Sequence, residues 1–119
     1  MIPTPTPEIA PETVTIRVSR YWPPLGGVNC WRFINGECVS HTRSGEPWQD
    51  WAERGAACPY SWLMKAEVYT RDQWWKCVDT GGKIVYGADG IPWVDFLTET
   101  PLAPYGSTME VGIRWLEEH

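Results

Sequence analysis

Polar and apolar residues alternate along "TVTIRVS", with Val14, Ile16 and Val18 on one face, and again along "TMEVGIRW", with Met109, Val111, Ile113 and Trp115. A period of two is the signature of a half-buried β-strand, so both ends of the domain are expected to be strands and Trp115 to be core. Between them, "KAEVYT" and "QWWKCVD" flank Arg71-Asp72 and read as a hairpin. "EPWQDWAER" reads as one or two helical turns with Pro47 at the start. Eleven Pro and eleven Gly leave little room for longer helices. The class implied is all-β: a compact closed barrel with irregular loops.

The opening "MIPTPTPEIAPE" alternates proline with small or acidic residues and offers a core nothing to bury. Residues 1–12 therefore read as a linker or tail and 13–119 as the domain. At 119 residues the chain holds one core. Nine Trp and five Tyr make aromatic rings its main contact surface. The formal charge of −5, without a lysine run, disfavours nucleic acid and anionic membranes as partners, because binding to either rests on neutralising phosphates. No stretch approaches the roughly 18 apolar residues of a membrane span, and the N-terminus lacks signal-peptide character. An exported form would have its leader outside this chain.

Cys30, Cys38, Cys58 and Cys77 permit three pairings, and their spacing, with two His in the chain, does not suggest zinc. Neither a metal nor a cofactor is expected. Cys30 and Cys38 flank "WRFINGE", whose Asn35-Gly36 is a hairpin-turn signal that folds the two together, and Cys58 with Cys77 follows by elimination. Four free thiols in a cytosolic protein are the alternative.

The stretch "VDTGGKIVYGADGIPWVDFL", residues 78–97, sets Asp79 and Asp95 among glycines and apolar residues. A carboxylate there is costly unless hydrogen-bonded or protonated. "CVDTGGKI" and "WVDFL" resemble the D-T-G-G-x-I and I-D-[LV]-[FY] segments of the 3D domain. That domain is the double-psi β-barrel of MltA-type lytic transglycosylases and of the Sps or YuiC-like stationary-phase muralytic proteins. "HTRSGEPW" resembles the family's T-A-S-G segment through Thr42, Ser44 and Gly45, and "AACPYSW" sits where the family has A-[VA]-D-P. The likeness runs in order over roughly residues 14–115. Cys58 stands in place of the first of the three aspartates, and Lys83 stands in an alanine position of the family motif. A Cys58–Cys77 bridge would serve as a covalent staple where that aspartate is missing.

The resemblance implies a six-stranded double-psi barrel that cleaves the β-1,4 bond between N-acetylmuramic acid and N-acetylglucosamine in peptidoglycan. It makes Asp95 the general acid and base giving 1,6-anhydro products, with Asp79 orienting it. It puts His41, Thr42, Ser44, Gly81 and Gly82 along a sugar groove, outside the cytoplasm in the cell envelope or a secreted or phage-associated setting, on a monomeric chain.

The residues themselves allow the same chemistry. Gly81 and Gly82 permit positive φ or close approach to a ligand, and Asp79 would be a fixed acceptor. Trp93, Val94 and Phe96 around Asp95, with Asp79 as a nearby like charge, would raise its pKa. Trp22 and Trp93 are candidate sugar platforms, since so many tryptophans cannot all be buried in so small a domain.

Plainer roles exist for each residue. Asp79 would cap its own turn, Asp95 would be the outward residue of an edge strand, and His41, Thr42 and Ser44 would be packing or hairpin-end residues. The tryptophans would also suit a protein interface. A non-catalytic glycan-binding barrel, and a hydrolase using Asp79 as second carboxylate, are the alternative functions.

Overall fold

The computed structural model describes residues 12–82 and 84–116, with Val28 described by its backbone alone. The tail up to residue 11 and Lys83 lie outside the described residues. Among the described residues eight strands form: β1 (Glu12–Tyr21), β2 (Arg32–Ile34), β3 (Glu37–Val39), β4 (Gly55–Ala57), β5 (Ala66–Thr70), β6 (Gln73–Asp79), β7 (Trp93–Leu97) and β8 (Thr108–Trp115). Glu12, assigned to the tail by its composition, already pairs with Ile113 in the sheet.

Six of the strands close into a barrel in the order β1-β7-β4-β6-β5-β8, and β2-β3 forms a separate hairpin. Strands β1 and β7 run parallel, as do β4 and β6, while the remaining barrel neighbours are antiparallel. Exchanging the half β1, β4, β5 with the half β6, β7, β8 maps every pairing onto another of the same sense. This internal two-fold relation, in which the two parallel pairs each join one half to the other and are exchanged, is the connectivity expected of a double-psi barrel.

Both predicted hairpins close through two-residue turns at positive φ. Arg71 and Asp72 (φ 54° and 60°) join β5 to β6, and Asn35 and Gly36 (φ 52° and 81°) join β2 to β3. Two left-handed central residues match the right-handed twist of the flanking strands. The β2-β3 turn brings Cys30 to Cys38, and Cys58 bridges to Cys77, so both predicted disulfides are present.

The interior follows the alternation. Ile16 and Val18 of β1, Val68 of β5, Val94 and Phe96 of β7, and Val111 and Ile113 of β8 are buried together. Trp75 lies edge-on to Phe96 with ring centroids 5.2 Å apart, and its indole N–H donates to the Thr70 carbonyl at 3.1 Å. Each such large side chain contributes about 1.5–3 kcal/mol on burial.

One expectation changes. Trp115 has the right face but is the last residue of β8, opposite Ala66 at the barrel rim, and is 50% exposed. It packs edge-on against Trp62, which takes the buried place instead. "EPWQDWAER" makes the expected helical turn, a single 3-10 turn, Trp48–Asp50, with Pro47 as its cap. The backbone then turns at Glu53 (φ 64°), whose carboxylate accepts hydrogen bonds from the Thr98 hydroxyl and the Glu99 N–H.

Candidate functional site

Strand register sets four residues in one row across the outer face of β1-β7-β4-β6. Ser19 pairs with Asp95, Asp95 with Ala57, and Ala57 with Asp79. Val94 and Phe96 point into the core, which sends Asp95 outward by alternation. Asp79 reaches the same face by a different route. Ala56 pairs with Cys77 but Ala57 pairs with Asp79, so Val78 is an extra residue on β6 and forms a bulge. Strict alternation from Trp75 and Cys77 would have turned Asp79 into the barrel interior. A bulge re-aims the side chains that follow it.

The bulge is seated by Gly55. A Cβ there would come within 2.8 Å of Trp51 Cβ and 2.9 Å of Val78 Cγ2, so only glycine lets Val78 close over β4. Ala57 leaves the space between the two aspartates open. Their backbones are two strand spacings apart, about 9–10 Å.

The two carboxyl groups live in different surroundings. Asp95 Oδ1 accepts from the Ser19 hydroxyl at 2.8 Å, and the Ser19 oxygen accepts from Trp93 Nε1 at 2.6 Å. Burial pushes the Asp95 pKa up to about 6, opposed by the Ser19 hydrogen bond and assisted by the negative charge of Asp79. Asp79 Oδ1 accepts the backbone N–H groups of Arg43 and Thr80, each at 2.9 Å, and Oδ2 accepts the Tyr21 hydroxyl at 3.2 Å. Its pKa is also raised by burial, but these hydrogen bonds and the Arg43 charge pull it back. Burial, followed by Asp79, drives the Tyr21 phenol far above its ordinary value, so it stays protonated and remains a donor. Asp79 is thus held on both oxygens, and Asp95 on one.

Both aspartates line a cleft of about 500 Å³, floored by Ala57 and bounded by Tyr21, Trp31, Gly81 and Ile84. A second cleft of about 540 Å³ shares Asn29, Gly81, Ile84 and Asp95 with it and continues past Ser19, Gly82 and Trp93 to Tyr105. Together they make a groove that passes Asp95 on both sides. Trp31 (70% exposed) and Tyr105 (75% exposed) stand along its two arms. Trp31 is carried beside the Cys30–Cys38 bridge, with the Arg32 guanidinium 4.8 Å from its ring.

Not every sequence-derived site residue reaches this groove. Gly81, Gly82 and Trp93 line it, but neither glycine adopts positive φ; a Cβ on Gly81 would meet Ile84 at 2.9 Å, so close packing is its reason. Thr42 and Ser44 face each other, with their hydroxyls 2.5 Å apart. Their turn docks on β6 through the Ser44 N–H to the Val78 carbonyl, which is what delivers the Arg43 N–H to Asp79. His41 is exposed and bridges to Pro47, and Trp22 packs edge-on to Trp48 at 5.1 Å; neither lines the groove. Asp79 also caps its own turn at Thr80, the plainer role.

Ser19, Tyr21, Trp31, Ala57 and Tyr105 join the site without having been expected there. The alternation in β1 holds a signal for two of them, since Ile16 and Val18 pointing inward send Ser19 and Tyr21 outward together. Among the described residues, no cluster of three or more His, Cys, Asp or Glu side chains forms a metal site, and no helix is long and apolar enough to cross a membrane. No protein family, curated protein or solved structure matches the chain.

Proposed function

We propose that this barrel cleaves peptidoglycan-type glycans in the manner of a lytic transglycosylase, with Asp95 as the single acid and base. The observation that carries the proposal is Asp95 itself: a carboxyl with a pKa near 6, facing a groove that extends past it in both directions. Such a group is half protonated at about pH 6 and still carries its proton in about one molecule in ten at pH 7, so it can both give and take a proton.

In the proposed reaction Asp95 gives its proton to the glycosidic oxygen. The bond from that oxygen to the anomeric carbon breaks, and its electron pair stays with the leaving sugar. The C6 hydroxyl oxygen of the N-acetylmuramic acid unit then bonds to the anomeric carbon, and its proton passes to the Asp95 carboxylate. Atoms and charge balance without water. Asp79, held by Tyr21, Arg43 and Thr80, supplies fixed negative charge near the carbocation-like centre and keeps Asp95 basic enough for the second step. The exposed rings of Trp31 and Tyr105 offer flat surfaces to the C–H faces of sugars on either side. Two disulfides fit an oxidising, extracellular setting for this work.

Incubation with purified peptidoglycan, followed by mass spectrometry of the released muropeptides, tests the reading. Products with 1,6-anhydro ends, lost in Asp95→Asn, are expected. Products that have gained water assign a hydrolase instead, and glycan retained intact assigns a binding module.

A further inference from the structure

The outer face of β1 and β7 holds a chain of two hydrogen bonds that the resemblance does not explain. Trp93 Nε1 has a hydrogen and no lone pair, so at 2.6 Å from the Ser19 oxygen it can only donate. Ser19 Oγ accepts there, and its one proton points along the 2.8 Å contact to Asp95 Oδ1. The direction of the chain is fixed from one end, by an indole that cannot reverse it. Ser19 is itself buried, and its register position is directly beside Asp95 on the parallel strand.

We propose that Ser19 is the positioning residue of Asp95: set as a donor by Trp93, it occupies Oδ1 and leaves Oδ2 as the oxygen that carries the reactive proton toward the groove. This rests on Asp95 being the acid of the proposed function. In a carboxylic acid the carbonyl oxygen is the better acceptor, so a donor fixed on Oδ1 places the hydrogen on Oδ2. The same bond stabilises the ionised form and checks the upward pull of burial, so Ser19 sets both the direction and the strength of the acid. Around Asp95, β1 also brings the Tyr21 phenol and, along the second cleft, Arg20, β4 contributes Ala57, and β6 beyond it brings the Asp79 carboxylate. Trp93 is also a groove wall, its ring 5.5 Å from that of Tyr105, so a sugar in that arm lies against the residue that fixes the chain.

The test follows the Asp95 side-chain carboxyl by carbon NMR across a pH titration, in the intact chain, for the wild type, Ser19→Ala, Ser19→Thr and Trp93→Phe. Ser19→Ala is expected to move the Asp95 midpoint up by about one pH unit, Ser19→Thr to restore it, and Trp93→Phe to shift it up by less. The alanine and phenylalanine shifts should not add, because both break one chain. Cleavage assays on the same variants should show the alkaline limb of the rate profile moving with the NMR midpoint, and kcat falling about tenfold or more in Ser19→Ala with KM little changed. An Asp95 midpoint unchanged in a folded Ser19→Ala overturns the proposal, as does failure of Ser19→Thr to restore it. Should the midpoints move as expected while no variant, nor the wild type, cleaves glycan, the positioning role stands and the proposed function falls.

Discussion

Replacing Asp95 by Asn should make the protein more stable above pH 6 while removing its proposed activity. In the unfolded chain the Asp95 carboxyl titrates near its ordinary value, about 3.9. In the fold it titrates at about 6, chiefly because burial penalises the charged form. Below pH 4 both states hold the proton, and the position is neutral for stability. Between pH 4 and 6 the unfolded chain gives up its proton first, so stability falls as pH rises, and above pH 6 the full penalty of a buried charge is present. The gap of about two pH units sets a ceiling of about 3 kcal/mol, and the open side of the groove reduces it to about 1–2 kcal/mol. Asparagine keeps an oxygen for the Ser19 hydroxyl and has no charge to bury. Urea unfolding of both proteins at pH 3.5 and pH 7.5 measures the effect. The two midpoints should lie close together at pH 3.5, and the variant should unfold later at pH 7.5. Equal stability at pH 7.5, or a gain of the same size at both pH values, would falsify the argument that the fold holds Asp95 in a desolvating site.

Other substitutions probe the frame around it. Tyr21→Phe removes the hydroxyl donor to Asp79 Oδ2 and should cost about 1–2 kcal/mol at neutral pH, with a smaller loss once acid protonates Asp79; thermal unfolding at pH 7 and pH 3 reads the difference. Gly55→Ala forces a methyl against Trp51 Cβ and Val78 Cγ2, so a loss of about 1–3 kcal/mol in urea unfolding is expected, together with altered chemical shifts at Asp79 from a displaced bulge. Removing the Cys58–Cys77 bridge by paired alanines frees a link across 19 positions and should lower stability by about 3 kcal/mol in denaturant unfolding. Removing the Cys30–Cys38 bridge frees a link across 8 positions in the hairpin beside the barrel, and should show mainly as faster amide exchange around Trp31.

Local patterns were readable because each is decided within a few residues. The alternation of "TVTIRVS" and "TMEVGIRW" marks β1 and β8, and Asn35-Gly36 marks the hairpin that aligns Cys30 with Cys38. Features that depend on distant partners were not readable. The Val78 bulge shows only in the pairing of β6 with the three-residue strand β4, and no period in "QWWKCVD" announces the extra residue. Trp115 has the correct parity, but its exposure depends on where the barrel ends, which is set by its partner Ala66. Thr42 and Ser44 resemble groove residues by their motif, yet they act through the backbone N–H of Arg43, which no side-chain pattern identifies.

The two-fold relation of the barrel sets the two aspartates at unequal positions. Exchange of the halves carries Asp95 onto Ala57 and Ser19 onto Asp79, since the parallel pairs Ser19·Asp95 and Asp79·Ala57 are equivalents of one another. Strands β4 and β7 meet at the axis, where Asp95 faces its own counterpart, Ala57. A carboxylate at both axial positions would set two like charges across one strand spacing, about 5 Å, and drive one pKa far upward. Alanine there avoids that conflict and opens the cleft between the arms of the groove. The second carboxylate sits instead one strand further out, at Asp79, where it influences Asp95 without competing for the same proton. A symmetric scaffold with alanine on one side of its axis thus leaves Asp95 at the axis, bordering both clefts, with Asp79 set one strand away.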